Sequence, residues 1–168
     1  MWAEPRTWVE VVGTVEPPAA LLGPLTALPC VLYRVDLGLL QRLLEGEGAA
    51  REIAGGRFRL RTGGGGAVLV DPGLGQIRIP RRRAIRRRVR LGRDPVLDER
   101  MLALYRRLRR QPPRRATVVC RELSLQPGER VRVIGELIEL AAPGGTLLGG
   151  YRQPPRQQVV RAGLVQGL

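Results

Sequence analysis

Turn-forming residues divide this chain into short segments, and this division is the sequence feature that most restricts which folds the chain can adopt. Its 168 residues include 22 Gly and 14 Pro. Between them, "TWVEVVGTVE" (7–16), "PCVLYRVDL" (29–37) and "RVRVIGELIEL" (130–140) are rich in β-branched residues or alternate apolar with polar residues, which is typical of strands. In "FRLRTGGGGAVLVD" (58–71) two such segments flank four glycines, which predicts a hairpin. The chain is therefore expected to form many short strands.

One segment, residues 94–110, has a helical pattern instead. Asp94 suits the N-cap and Pro95 the first helical position. Four apolar residues follow at spacings of four, three and four, and Pro112-Pro113 stops the helix; they are Leu97, Met101, Leu104 and Leu108. Together with the strands, this predicts a mainly β fold, a small β-barrel or sandwich of short antiparallel strands with one main α-helix at about 95–110.

Weaker patterns complete the expected organisation. "GQIRIP" (75–80) and "RRATVVCRELSL" (114–125) predict strands, and "GTLLGGY" (145–151) and "RQQVVRA" (156–162) predict edge strands. Leucine spacing over 36–48 predicts a short helix, and Gly13 predicts a β-bulge. The expected domains are a single β domain at 1–153, with a basic insertion and helix at 80–115, and a partly ordered C-terminal tail at 154–168 after Pro154-Pro155.

Positive charge is concentrated in one quarter of the chain. All 29 cationic side chains are Arg, and Lys and His are absent. Residues 76–115 hold 16 Arg against Asp94, Asp98 and Glu99, or +13, whereas the rest holds 13 Arg against 12 acidic residues, or +1. A GC-rich genome explains the choice of Arg over Lys, but codon bias alone does not explain where the arginines lie.

The densest run is "IPRRRAIRRRVRLGR" (79–93), with eight arginines. Three interpretations stay open: a solvated loop, a nucleic-acid-binding segment at 81–93 that contacts phosphates, or a surface for an acidic protein or an anionic membrane. The candidate anion- or partner-binding residues are Arg81, Arg82, Arg83, Arg86, Arg87, Arg88 and Arg90.

Several kinds of chemistry lack the residues they need. Two Cys and no His exclude a four-ligand Cys/His zinc site and any His-based triad. The glycine clusters lack the Lys-Ser/Thr of a P-loop. The candidate general bases have no second carboxylate at a suggestive spacing; they are Asp36, Asp71, Glu122 and Glu136. We therefore expect no catalytic residue, no metal and no cofactor.

Cys30 and Tyr33 are the remaining candidate site residues. Both cysteines, Cys30 and Cys120, are expected to be reduced and buried in strands. Strand alternation places Cys30 and Tyr33 on opposite sides, and either side could line the core. Core packing and the lining of a ligand pocket both stay open for Cys30 and Tyr33.

Four motifs, in order, resemble the GIDE domain. They are "VVGTVEP", "PLTALPCVLYRVDL", "FRLRTGGGGAVLVDPGLGQI" and "RELSLQPGERVRVIGEL". This is the beside-a-membrane domain of the mitochondrial RING-type ubiquitin and SUMO ligase, and it also occurs in prokaryotes. The matches are short, and their order over most of the chain carries the resemblance.

The resemblance implies a mainly β accessory domain of a bacterial multi-protein system that recognises a ligand or a protein partner, without established chemistry. Flanking transmembrane helices and a RING, common in the family, are not found in this sequence, so ligase activity is not expected. With no long apolar run and no signal-peptide pattern, the chain is expected to be cytoplasmic, with membrane contact only at the periphery. The sequence leaves the oligomeric state open.

Overall fold

The computed structural model describes residues 7–19, 21–39, 50–73, 76–80, 84–112, 117–141 and 156–168. Among these the helix is α1 (Pro95–Arg107). The strands are β1 (Trp8–Val15), β2 (Leu21–Leu22), β3 (Pro29–Cys30), β4 (Leu32–Leu39), β5 (Ala50–Gly55), β6 (Phe58–Thr62), β7 (Ala67–Asp71), β8 (Gln76–Arg78), β9 (Ile85–Arg90), β10 (Thr117–Leu125), β11 (Arg130–Ala141) and β12 (Arg156–Gly167).

The chain divides into two compact units rather than the single domain expected at 1–153. The barrel unit comprises Met1–Pro17, Arg57–Arg78 and Gly128–Leu168, and the sheet–helix unit comprises Pro18–Gly56 and Ile79–Pro127. The sheet–helix unit is thus built from two insertions into the barrel sequence. Sequence patterns identify strands one by one, but they do not show which strands share a sheet, so this division was missed.

The barrel unit is a closed five-stranded barrel in which neighbours follow the circular order β1, β6, β7, β12, β11. All pairs are antiparallel except β7 with β12, and β8 adds to β12 as a further parallel partner. This confirms the predicted mainly β fold, although two pairings are parallel. A five-stranded Greek-key barrel is the architecture of OB folds.

The C-terminal segment completes this barrel. Residues 154–168 were expected to be a partly ordered tail, but Arg156–Gly167 form β12, which pairs with β11, β7 and β8. Its Val159, Val160 and Val165 are almost fully buried. The tail prediction was wrong because the preceding prolines were read as the end of the fold. The predicted strand at 156–162 is confirmed, but it lies between partners rather than at an edge.

Gly13 allows a close contact between two barrel strands. A Cβ at Gly13 would lie 2.7 Å from the carbonyl oxygen of Arg61 on β6, and the register of β1 with β11 continues without a break through Gly13. The predicted bulge at Gly13 was therefore wrong. The irregularity lies instead between Ile134 and Gly135, opposite β12.

The sheet–helix unit packs α1 on a four-stranded antiparallel sheet of order β5, β4, β10, β9. As predicted, Asp94 caps the helix: its side chain accepts hydrogen bonds from the backbone N–H groups of Val96 and Leu97, both at 3.1 Å. The helix buries Met101, Leu104 and Tyr105. These residues share one core with strand residues that include Val35, Leu37, Val89, Val118 and Cys120.

Other predictions differ in detail or lie outside the described residues. The helix ends at Arg107, not 110, because Arg109 adopts a left-handed conformation with φ of 52°. Of the short helix predicted over 36–48, residues 36–39 belong to β4 and the rest lies outside the described residues. The edge strand predicted at 145–151 also lies outside them.

The close approach at Gly13 gives a stability test. Replacing Gly13 by Ala forces a methyl group against backbone atoms of β6, which cannot move without disturbing the barrel. We expect Gly13→Ala to lower the free energy of unfolding by about 1–3 kcal/mol. The matched control is Gly64→Ala, in the β6–β7 turn, where an added Cβ meets nothing within 4 Å. Equal stability of the two variants in denaturant titrations would contradict the contact.

Candidate partner-binding surface

The described part of the arginine run forms an ordered strand. Arg86, Arg87, Arg88 and Arg90 lie on β9, which pairs with β10 along one side. The solvated-loop interpretation was therefore wrong for residues 85–90. Arg81, Arg82 and Arg83 lie outside the described residues.

Strand alternation sorts these arginines onto two faces. Ile85 and Val89 pack with α1 and the core, so Arg87 shares their side of β9. Arg86, Arg88 and Arg90 consequently lie on the opposite face of the sheet. They are all exposed.

The neighbouring strands add further arginines to that opposite face. Cross-strand pairing aligns Arg86 with Arg121 of β10, Arg121 with Asp36 of β4, and Asp36 with Arg51 of β5. Arg34 lies on the same side, two residues before Asp36. We call this surface the arginine face; it consists of Arg34, Arg51, Arg86, Arg88, Arg90, Arg121 and Asp36.

Among the described residues, the arginine face contains six guanidinium groups and one carboxylate, that of Asp36. Asp36 accepts hydrogen bonds from the Nε atoms of Arg34, at 3.1 Å, and Arg51, at 2.7 Å. Within the described part of the chain, the other four arginines have no ion-pair partner; they are Arg86, Arg88, Arg90 and Arg121. Among the described residues, therefore, the positive charge on this face exceeds the negative charge.

The charge of the whole sequence follows the same division. The sheet–helix unit contains 19 Arg against 8 acidic residues, or +11, and the barrel unit contains 10 Arg against 7, or +3. In the barrel unit several arginines are paired: Arg57 with Asp71 at 3.1 Å, Arg59 with Glu16 at 3.7 Å, and Arg132 with Glu10 at 2.7 Å. Fields of unpaired like charges add and favour association with anions.

Cys30 and Tyr33 face the same core, contrary to the alternation predicted from the sequence. The strand is interrupted at Val31, between β3 and β4, so the two-residue period does not carry across it. Cys30 is fully buried and unpaired, which confirms the core-packing interpretation. Tyr33 is also buried, but it lines a cavity as well.

Both thiols are poor nucleophiles in this setting. Burial raises the pKa of Cys30 to about 11, and nearby Glu122 adds to the rise. Burial also raises the pKa of Cys120 to about 12. Because the reactive form is the thiolate, both groups stay protonated near neutral pH.

Tyr33 belongs to a polar cluster that sequence reasoning missed. Its hydroxyl donates a hydrogen bond to Oε1 of Glu52, and Arg107 contacts the same carboxylate from Nε, at 2.9 Å, and Nη2, at 3.0 Å. Burial, followed by the bond to Glu52, raises the pKa of Tyr33. The sequence offers no local signal for this cluster, because Glu52 and Arg107 lie 55 residues apart.

Glu122 is the most buried of the proposed general bases, and it has a structural role. It is 1% exposed and accepts hydrogen bonds from the backbone N–H of Leu25, at 2.6 Å, and from the hydroxyl of Thr26, at 2.6 Å. It therefore holds residues 23–26 in place. Asp71 accepts a hydrogen bond from the backbone N–H of Gly73, in the turn after β7, and Asp36 is paired with Arg34 and Arg51.

The described residues contain neither a metal-binding group nor a membrane-spanning helix. Across those residues, no group of three or more Cys, Asp or Glu side chains is arranged to hold a metal ion. No helix in that part of the chain is long and apolar enough to cross a membrane.

Comparisons with known proteins find no relative of this chain. No family model matches it, and neither do curated proteins or solved structures. The resemblance to the GIDE domain therefore stays a prediction.

The buried carboxylate of Glu122 gives a second stability test. Replacing it by Ala leaves buried donors of Leu25 and Thr26 without acceptors. We expect Glu122→Ala to lower the free energy of unfolding by about 2–4 kcal/mol. Glu99→Ala, at an exposed helix position, is the control and should change it by less than about 0.5 kcal/mol. Similar unfolding curves for both variants would show that Glu122 does not hold the loop.

The environment of the two thiols predicts their reactivity. In native protein at pH 8, we expect both to react with a disulfide reagent at least about 100-fold more slowly than in denatured protein, because reaction requires opening of the core. Denatured protein should then show two free thiols per chain. Rapid reaction of either thiol in native protein, or fewer than two thiols after denaturation, would contradict the structure.

Proposed function

We propose that this chain is a non-enzymatic binding module whose arginine face binds an acidic protein partner. The observation that carries the proposal is the set of six arginines on one sheet face, four of them without an ion-pair partner among the described residues. Side chains two residues apart on a strand are separated by about 6.6 Å, and neighbouring strands by about 4.8 Å. Arg86, Arg88 and Arg90 follow one another at this spacing along β9, where all three are exposed.

A non-enzymatic role is supported by the state of the candidate reactive groups. Both cysteines are buried with raised pKa values, and the sequence contains no His. The candidate carboxylates Asp36, Asp71 and Glu122 accept hydrogen bonds within the fold. This is the behaviour of structural groups.

A protein partner fits the surface better than a single-stranded nucleic acid. Single strands are bound by stacking on aromatic side chains, whereas the residues between the arginines are aliphatic. Val119 and Leu123 are buried, and Ile53, which is 52% exposed, offers an apolar contact beside the charges. In addition, β9 pairs only with β10 among the described strands, so its outer edge could accept a strand from a partner.

One observation favours nucleic acid as the alternative. OB folds are frequent binders of oligonucleotides, and the exposed aromatic Trp8 lies on β1 of the barrel. Fold alone is weak support for a function, however. The barrel unit carries only +3 of the net charge of +14.

The test replaces Arg86, Arg88 and Arg90 together by Gln. The matched control replaces Arg57, Arg59 and Arg61 of the barrel unit by Gln. These arginines are also exposed and also two residues apart, so the control removes the same charge as the first variant. Fluorescent poly-glutamate and a labelled DNA duplex are titrated across a salt series. We expect the first variant to weaken poly-glutamate binding by at least about tenfold at low salt and the control by less than about twofold.

Equal losses in both variants would indicate non-specific attraction to net charge and contradict the arginine face. Selective loss of duplex binding, with the slope of log K against log salt reduced by about 0.9 for each lost phosphate contact, would favour the nucleic-acid alternative.

A further inference from the structure

An open cavity of about 440 Å³ lies at the surface of the sheet–helix unit, between the 21–27 segment and helix α1. This volume is within the range of about 300–1,000 Å³ found for small-ligand sites. Most of its lining is apolar and part of it is cationic. The lining residues are Leu21, Leu22, Gly23, Pro24, Ala27, Tyr33, Arg100, Ala103 and Arg107.

The cationic side of the cavity is formed by Arg100 and Arg107. With Ala103, they share one side of α1 at spacings of three and four residues. Arg107 donates hydrogen bonds to Glu52 from Nε and Nη2, and its Nη1 has no acceptor among the described residues. Arg100 is partly buried and has no ion pair with any described residue.

Glu52, which is 14% exposed, neutralises one of the two arginines. Arg100 keeps an unpaired guanidinium group among the described residues, so the pocket offers positive charge to an anionic group of a ligand. A carboxylate suits this position because a guanidinium fork can bind it with two parallel hydrogen bonds. The apolar lining beside it favours an anion that also carries a hydrocarbon chain.

The apolar wall is held in place before any ligand binds. Leu25 and Thr26 donate hydrogen bonds to the carboxylate of Glu122. Two backbone hydrogen bonds close the turn: the N–H of Gly23 donates to the carbonyl of Leu28, at 2.9 Å, and the N–H of Ala27 donates to the carbonyl of Gly23, at 2.7 Å. Ala27 has a φ of 56°, a conformation that is unfavourable for a residue with a side chain and persists only where the surroundings impose it. This wall does not collapse onto the helix, and Leu22 is left 63% exposed.

We propose that this cavity binds a small aliphatic monocarboxylate, with its carboxylate against Arg100 and Nη1 of Arg107 and its hydrocarbon chain against Leu21, Pro24 and Ala103. A preformed apolar wall lowers the entropic cost of binding. The two guanidinium groups supply charge-assisted hydrogen bonds, which are stronger than neutral ones. This site is separate from the arginine face, since Tyr33 and Glu52 lie on the α1 side of the sheet.

Decanoate is the probe, and methyl NMR of the full chain is the measurement. We expect saturable shifts of the Leu21, Leu22, Ala27 and Ala103 methyl groups. Arg100→Gln should weaken the affinity by about tenfold, the loss of one charge-assisted contact. Arg106→Gln is the matched control, because Arg106 is exposed on the same helix and does not line the cavity. It should change the affinity by less than about twofold.

A third variant separates electrostatics from simple disruption. Glu52→Gln keeps an acceptor for Tyr33 but frees the charge of Arg107, so it should strengthen decanoate binding while Arg100→Gln weakens it. Decanol, which has the same chain without the charge, should bind at least about tenfold more weakly than decanoate. The proposal is overturned if decanoate gives no saturable shifts up to about 10 mM, if decanol binds as tightly, if Arg100→Gln and Arg106→Gln behave alike, or if Glu52→Gln weakens binding.

Discussion

The two-residue period of the strands in the sheet–helix unit is the constraint that decides which side chains lie on each face of its sheet. Along β10, Val118 and Cys120 face α1 whereas Val119 and Arg121 face away from it, and β4 and β9 keep the same register across the sheet. A shift of one residue in β9 would place Arg88 or Arg90 at the buried position of Val89 and move Val89 to the other face. The cost of burying those charges fixes the register, so the core that stabilises the sheet also places the arginines together on its other face.

Position, rather than composition, distinguishes these arginines from others in the chain. Strands β6 and β9 both carry arginines at alternate positions, and codon bias would supply both equally. On β6 and its flank, Arg57 and Arg59 are paired with acidic neighbours in the barrel unit. On β9, Arg86 and Arg88 have no such neighbour among the described residues.

Local signals in the sequence were reliable where neighbouring residues decide the structure. The cap at Asp94, the hairpin around Gly63–Gly66 and the buried Cys30 depend on contacts within one element or on hydrophobicity alone. Features set by distant residues could not be predicted. The closure of the barrel by β12, the hold of Glu122 on Leu25 97 residues away, and the meeting of Glu52 with Arg107 55 residues away all require the tertiary fold.

Strand β5 shows why the two sites proposed for the sheet–helix unit are chemically distinct. Its consecutive residues Arg51 and Glu52 point to opposite faces: Arg51 binds Asp36 on the arginine face, and Glu52 binds Tyr33 and Arg107 at the cavity. Each ion pair is completed within its own face, and the backbone of the sheet separates the two. A change of charge on one face therefore leaves the hydrogen bonds of the other intact, and one small sheet can present a cationic surface and a ligand cavity at the same time.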